Sequence, residues 1–277
     1  MSRSIDTMHL GLDRVIGAWE RDGALIDPGP SSSIDTVLAG MEVGQPTAIF
    51  LTHIHLDHAG ATGTLVRRNP DLRIYVHEAG APHLIDPERL LRSAARLYGD
   101  EMDRLWGEVL PVPVGNVTPL NGGEQIDGLR VLYTPGHASH HVTYFDEETG
   151  DAFVGDVGGV RIPPTSDVWA PTPPPDIDVQ LWLDSIASVA ERGPERLLLT
   201  HFGAADDPAE HLDAVGTELR RLSEAARTSE RAEFLARLEE RIDAQADEAA
   251  ARIRSAMPPE QVWLGLERWR DRIARAP

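Results

Sequence analysis

The sequence predicts an α/β body followed by a helical tail. Three observations carry that reading. Short apolar runs alternate with helical stretches over the first two hundred residues, polar residues recur just past the ends of those runs, and the composition changes at Pro208. The chain is long enough for one large domain or a domain with an appendage, and the expected division is a body over 1–207 and a helical extension over 208–277.

In order, Arg14–Trp19 and Gly23–Asp27 are expected strands, the second closed by the turn Asp27-Pro28-Gly29-Pro30. Ser33–Met41 has the serine start of a helix. Thr47–Thr52 is a short continuous apolar run, the pattern of a strand buried on both faces. Arg73–His77 is a further strand and Pro87–Tyr98 an amphipathic helix. The strands Leu129–Thr134, Val142–Asp146 and Asp151–Val154 follow, separated by Pro135-Gly136 and by Glu147-Glu148-Thr149-Gly150. Residues 157–175 hold two glycines and six prolines around Trp169, too Pro-rich for a regular element and too apolar for a simple linker. A helix from about Asp178 to Glu191 and a buried strand, Arg196–Thr200, complete the body. In the tail, Leu212, Val215, Leu219 and Leu222 form one apolar stripe and Leu235, Leu238 and Ile242 a second. Pro258-Pro259 precedes a last helix with Trp263, Leu266, Trp269 and Ile273. The Trp263/Trp269 pair is expected to pack the tail or a homodimer contact rather than to bind ligand.

Composition removes whole classes of chemistry. All 26 basic residues are arginine, so Schiff-base lysines and Walker-type lysines are excluded, and the absence of cysteine excludes thiolate nucleophiles and Cys-ligated metals. A net charge of −19 makes nucleic acid and anionic membranes poor partners. The N-terminus has no apolar signal-like region and no run is long enough to span a membrane, so a cytoplasmic location is the expectation. Eleven histidines and many carboxylates remain for the chemistry.

Four of them cluster. Thr52-His53-Ile54-His55-Leu56-Asp57-His58-Ala59-Gly60 follows the buried strand directly, with three imidazoles and one carboxylate in six residues. Such ligands leaving a strand end can converge on metal. His137, Asp156 and His201 also sit just past expected strands, at the rim where α/β proteins assemble their sites.

These residues resemble the metallo-β-lactamase-fold hydrolase superfamily, in its glyoxalase-II-like or lactonase-like branch. The resemblance spans most of Gly23 to Gly203, and His53–His58 (HxHxDH) is its most specific element. It implies an αββα sandwich with a C-terminal helical extension. It also implies a first metal held by His53, His55 and His137, a second held by Asp57, His58 and His201, and Asp156 bridging both. Asp27 matches an aspartate that supports the ligand loop. Seven such ligands suit two divalent cations, zinc foremost, with iron or manganese also compatible with nitrogen and oxygen donors.

The implied function is a dinuclear metal-dependent hydrolase that attacks a thioester or lactone carbonyl of a small-molecule acyl substrate with a metal-bridging hydroxide. Asp57 would orient the hydroxide and relay a proton. The absent cysteine and the presence of Asp156 point away from β-lactams, and His55 points away from flavin-partnered members. Thr134–His141 resembles the third-ligand motif of glyoxalase-II-like thioesterases, but the lack of lysine speaks against glutathione itself. His140 and His141 are expected to be structural, bonded to backbone, rather than proton shuttles. Two alternatives stand beside the hydrolase: a mononuclear iron persulfide dioxygenase of the same fold, and a non-enzymatic, metal-stabilised interaction protein.

Overall fold

In the computed structural model, which describes residues 2–275, two six-stranded sheets face each other. The first contains β1 (Arg3–Asp6), β2 (Gly17–Arg21), β3 (Ala24–Ile26), β4 (Ala48–Phe50), β5 (Arg73–His77) and β6 (Val117–Leu120), adjacent in that order. β1, β2 and β3 pair antiparallel, and β3 to β6 run parallel. The second contains β7 (Gln125–Ile126), β8 (Leu129–Tyr133), β9 (Val142–Asp146), β10 (Asp151–Phe153), β11 (Arg196–Leu199) and β12 (Gly203–Ala205), also adjacent in chain order. There β10 and β11 pair parallel and the remaining neighbours antiparallel.

Helices cover both outer faces. α1 (Ile34–Gly40), α2 (Leu56–Ala59), α3 (Thr62–Arg68), α4 (Ala81–Ile85), α5 (Glu88–Tyr98) and α6 (Met102–Trp106) belong to the first half. α7 (Val179–Glu191), α8 (Pro208–Thr228), α9 (Arg231–Asp243), α10 (Asp247–Ala256) and α11 (Pro259–Arg275) belong to the second. The architecture is the αββα sandwich with a helical C-terminal region.

Period-two alternation of side chains explains why the strands read as continuous apolar runs. Ile26, Phe50, Tyr75, Leu129, Val131, Tyr144, Phe153 and Leu198 fill the space between the sheets. Their neighbours Leu25, Ile49, Leu51, Ile74 and Val76 point the other way, into the helices of the first half. Ala152, Val154, Leu197 and Leu199 point towards α7 and the tail. Between the sheets, Phe50 stacks on Tyr75 with ring centroids 4.6 Å apart, and the Tyr144 hydroxyl donates to Leu51 O at 2.8 Å. The tail stripes join the same apolar cluster as Trp169 and Trp182: Leu212, Val215, Leu219 and Leu222 of α8, Leu238 and Ile242 of α9, and Trp263, Leu266 and Trp269 of α11.

The strand expected at Arg14–Trp19 instead lies at Gly17–Arg21. Arg14 takes a positive φ of 56° in a turn, where its N–H donates to Asp6 Oδ2 at 2.6 Å. The charged ending Glu20-Arg21 hides the strand in the sequence, yet both side chains are buried. The guanidinium of Arg21 donates to Asp146 Oδ2 at 2.7 Å, tying one sheet to the other. The helix expected from Ser33 begins as a 3-10 turn at Ser31–Ser33 and becomes α-helical at Ile34. The strands β1, β6, β7 and β12 lack a readable signal because each is two to four residues long and contributes few apolar positions.

Burial pushes the Asp146 carboxyl up, but the hydrogen bonds and charge of Arg21, together with backbone N–H groups such as that of Glu148, outweigh this and hold it below its ordinary value. A lowered folded pKa means that this stabilisation is fully present above the unfolded-state pKa, ~4, and is lost as pH falls through the folded value. Asp146→Asn removes the buried counter-charge of the guanidinium, leaving it only the exposed Asp22 carboxylate at 3.3 Å, and is expected to cost up to about 3 kcal/mol at neutral pH. Urea titrations of both proteins between neutral pH and pH 3 check this. The difference should shrink in acid, and a pH-independent difference would contradict the ion-pair account.

Candidate metal centre

The two sheets hydrogen-bond to each other at one edge, and the ligand-type residues leave from that edge. Gly17 N–H donates to Thr200 O at 2.8 Å, and Val142 N–H donates to Thr52 O at 2.8 Å. Thr52 is followed by His53 and Thr200 by His201, so these contacts bring the ends of β4 and β11 together. His137 arrives from the turn after β8, where Gly136 has a φ of 131° and a Cβ would sit 2.2 Å from Trp182 N. Asp156 arrives from the turn after β10. There Gly155 has a φ of 45°, and a Cβ would meet Thr52 Oγ1 at 2.5 Å and His141 Nε2 at 2.8 Å. No other residue fits either turn without displacing a neighbour of the site.

All seven residues singled out in the sequence meet here, in two groups. His53, His55, His137 and Asp156 each offer an atom within 4.8 Å of the others, and so do Asp57, His58 and His201. Asp156 lies between the groups. Its Oδ2 is 3.2 Å from His137 Nε2, while its Oδ1 is 3.1 Å from His58 Nε2 and 3.5 Å from His201 Nε2. Asp57 Oδ2 is 3.4 Å from His201 Nε2 and 3.7 Å from His58 Nε2.

The partners on the far side of each imidazole fix which nitrogen faces inward. His137 Nδ1 donates to Pro171 O at 3.0 Å, and His201 Nδ1 donates to Val15 O at 2.6 Å. His58 Nδ1 donates to Asp27 Oδ2 at 2.8 Å. Thr52 Oγ1 gives its own proton to Asp27 Oδ2 at 2.7 Å, so it accepts from His53 Nδ1 at 3.1 Å. Each of these four rings therefore turns a bare Nε2 lone pair into the site.

The arrangement fits cations. His55 Nδ1 lies 2.9 Å from His53 Nε2 and 3.0 Å from His137 Nε2, and a single proton on His55 would satisfy only one of those lone pairs. In the second group, His58 Nε2, His201 Nε2 and Asp156 Oδ1 are buried without a hydrogen-bond partner. Orphaned buried acceptors aimed at one point are what a metal ion satisfies.

The charge balance agrees. Burial lowers His53 far below the ordinary imidazole range and takes His137 to about 3, leaving neutral donors for the first position. Burial also opposes charge on His58, but the carboxylates of Asp156, Asp57 and Asp27 outweigh it and raise this imidazole. Burial would likewise raise Asp156, yet His58, His137 and His201 hold it low. The carboxylates thus call for positive charge in the second position, which a divalent cation supplies.

His140 and His141 hold the ligand segments from behind. Ile54 N–H donates to His140 Nδ1 at 3.4 Å, and Val157 N–H donates to His141 Nε2 at 3.4 Å while His141 Nδ1 donates to Thr134 Oγ1 at 2.9 Å. Both match the structural reading of these residues. Trp169 packs fully into the body with Arg241 stacked 3.9 Å above its ring, so it does not face a ligand.

A cavity of about 300 Å³ opens over the centre, lined at its floor by His55, Asp57 and Asp156. Its walls include residues that carry no signal in the sequence. His9 comes from a turn whose neighbours Met8 and Leu10 have positive φ, and its ring stacks on Trp106 at 5.6 Å. Tyr98, Gln261 and Val262 come from helices whose spacing marks a buried face without distinguishing core from cavity wall, and Met257 from the joint between α10 and α11.

A model of the metallo-beta-lactamase superfamily matches residues 20–201, and the chain belongs to that superfamily. Metallo-beta-lactamase fold-containing protein ST1585 of Sulfurisphaera tokodaii is 28% identical over 191 residues, 66% of this chain and 70% of that protein. A hydroxyacylglutathione hydrolase of Synechococcus sp. is 31% identical over 138 residues, 48% of this chain. That match covers 42% of the hydrolase, so the chain spans under half the length of this relative. The crystal structure of ST1585 superimposes with a TM-score of 0.73 and 23% identity across 98% of both chains, showing that the fold likeness includes the helical tail. TTHA1623 in a di-iron-bound form matches with a TM-score of 0.51 and 28% identity, over 69% of this chain and 89% of that one.

Asp27 ties the support of His53 and His58 together. Asp27→Asn keeps the shape but removes the charge, and is expected to weaken binding of a cation at the Asp57/His58/His201 position about 10–100-fold. Zinc titration against a chromophoric chelator, with circular dichroism to confirm the fold, measures this. Unchanged affinity would show that the contact does not tune the centre.

Proposed function

We propose that the protein is a dinuclear metal-dependent hydrolase of thioesters or lactones. The observation that carries this reading is Asp156, which turns one carboxylate oxygen towards each group of donors at the floor of an open cavity. His53, His55 and His137 would hold one cation, and Asp57, His58 and His201 the other, with Asp156 shared. Bound there, two cations would polarise the substrate carbonyl and ionise an attacking water near neutral pH. Zinc suits the nitrogen and oxygen donors, and the resemblance to a protein in a di-iron-bound form keeps iron a candidate.

The side chains have separable tasks. Asp57 is the partly accessible carboxylate of the centre and borders the cavity, so it would orient the attacking water and carry its proton to the leaving sulfur or oxygen. His53, His58, His137 and His201 are locked in one tautomer by their outer partners, which keeps their inward lone pairs in place through turnover. With no lysine or cysteine in the chain, no Schiff-base or thiolate route competes with this one. Relatives named hydroxyacylglutathione hydrolase, near 30% identity, support acyl-bond hydrolysis.

Elemental analysis of protein purified without chelator should give about two metal equivalents per chain. Asp156→Ala should lose metal and lower turnover by more than about 10³-fold, beyond what loss of a single hydrogen-bond donor costs. Full metal content with retained activity in that variant would overturn the dinuclear reading. One equivalent of iron, with oxygen uptake on a persulfide, would favour the dioxygenase instead.

A further inference from the structure

We infer that the cavity above the metal centre is an acyl-chain slot, built to take an uncharged, straight aliphatic chain of medium length attached to the reacting carbonyl. The inference rests on the hydrolase reading for the carbonyl end of the substrate and goes beyond it for the rest.

The wall is mostly apolar, and its apolar residues come from three separate parts of the chain. Leu90, Ala94 and Trp106 of α5 and α6 form one side, and Met257 and Val262 at the joint of α10 and α11 form the opposite side. Pro173-Pro174-Pro175 closes a third side and offers no backbone N–H.

Some of the polar groups in the wall are engaged with their neighbours, while His9 Nδ1 and Trp106 Nε1 are buried without a hydrogen-bond partner. The Tyr98 hydroxyl donates to Gln261 Oε1 at 3.2 Å, and Thr172 Oγ1 donates to Val262 O at 3.0 Å. Arg254, the cation at the rim, is paired with Glu239 at 2.8 Å and with Asp243. Among the described residues, the wall thus offers contact surface and no free cation for a substrate carboxylate. The net charge of −19 adds a field that disfavours anionic substrates further. A substrate carrying the carboxylates of a glutathione conjugate does not fit this surface.

The slot is rigid. A Cβ at Gly265 would lie 1.9 Å from Thr172 O, so α11 rests directly on the Pro-rich loop. Arg252 of α10 donates through Nε to Asp13 O at 2.9 Å, fixing the tail to the N-terminal turn. At about 30 Å³ for each water-sized group, a 300 Å³ cavity holds roughly ten, the bulk of a medium-length acyl chain.

The test uses the metal-loaded full-length protein and two probe series. Binding of neutral straight-chain amides of four to fourteen carbons, followed by calorimetry, reads the slot without turnover. Hydrolysis of N-acetylcysteamine thioesters of matching acyl length reads the reaction. Affinity and kcat/KM should each rise about fourfold per methylene to an optimum near ten carbons, then fall. Ala94→Trp, which fills the slot, should move both optima to shorter chains. Amide binding that rises with length, without turnover of any thioester or lactone, would sustain the slot and overturn the hydrolase. Binding and rates independent of chain length, or S-hydroxyacylglutathione preferred over the matched neutral thioester, would overturn the slot.

Discussion

The site depends on one buried carboxylate. Asp27 is fully enclosed and accepts from Thr52 N–H at 2.8 Å through Oδ1, and from Thr52 Oγ1, His58 Nδ1 and Thr200 Oγ1 through Oδ2. Those donors stand on three segments: the end of β4, the short helix α2, and the end of β11. A buried charge is tolerated only when hydrogen bonds replace its water, and here the replacement is the framework of the metal centre. The turn that carries Asp27 adds backbone bonds to the same segment, with Gly29 N–H donating to His58 O and Ala61 N–H to Gly29 O. The positive φ of Asp27 and Gly29 is what brings the turn back over the ligand loop.

This framework is rigid because the sheets behind it are packed on both faces. Thr52 and Thr200 end strands whose alternating residues enter two different apolar layers, so neither strand can shift register without exposing one of them. The inter-sheet bonds Trp19 Nε1 to Leu199 O and Gly17 N to Thr200 O fix the strand ends themselves. Stability and chemistry share the same residues at this edge, which suits a centre whose donors must sit within a few tenths of an ångström of their working positions.

The candidate metal centre is more legible in the sequence than the fold around it. Its candidate ligands stand out because they follow buried strands in chain order, and a dense His/Asp segment at such a strand end contributes little to packing on its own. Arg73–His77 and Val142–Asp146 are legible to the residue because their apolar content matches their length. The strand ending in Glu20-Arg21 is displaced from its expected place because its charge is neutralised by Arg3 and Asp146, far away in sequence. His9 is silent for a related reason. Its place beside the centre depends on left-handed backbone at Met8 and Leu10 and on a ring contact with Trp106, none of which periodicity reveals.

The tail unites the acidic, lysine-free composition with the cavity. Several of its arginines are held by carboxylates at short range: Arg221 and Arg241 both pair with Glu218, and Arg252 pairs with Asp13. Guanidinium groups suit such shared, planar pairing better than ammonium groups do. Part of the positive charge is thereby tied up in the tail, and the surplus of carboxylates is left to shape the field outside. That field concentrates cations and thins out anions within a Debye length of ~8 Å in physiological salt. On the proposed function, the same surplus would draw metal ions to the centre and disfavour carboxylate-bearing acyl carriers at a cavity that, among the described residues, offers no free cation. Under that proposal, selection between substrates would begin in the charge of the whole chain, before any contact with the cavity wall.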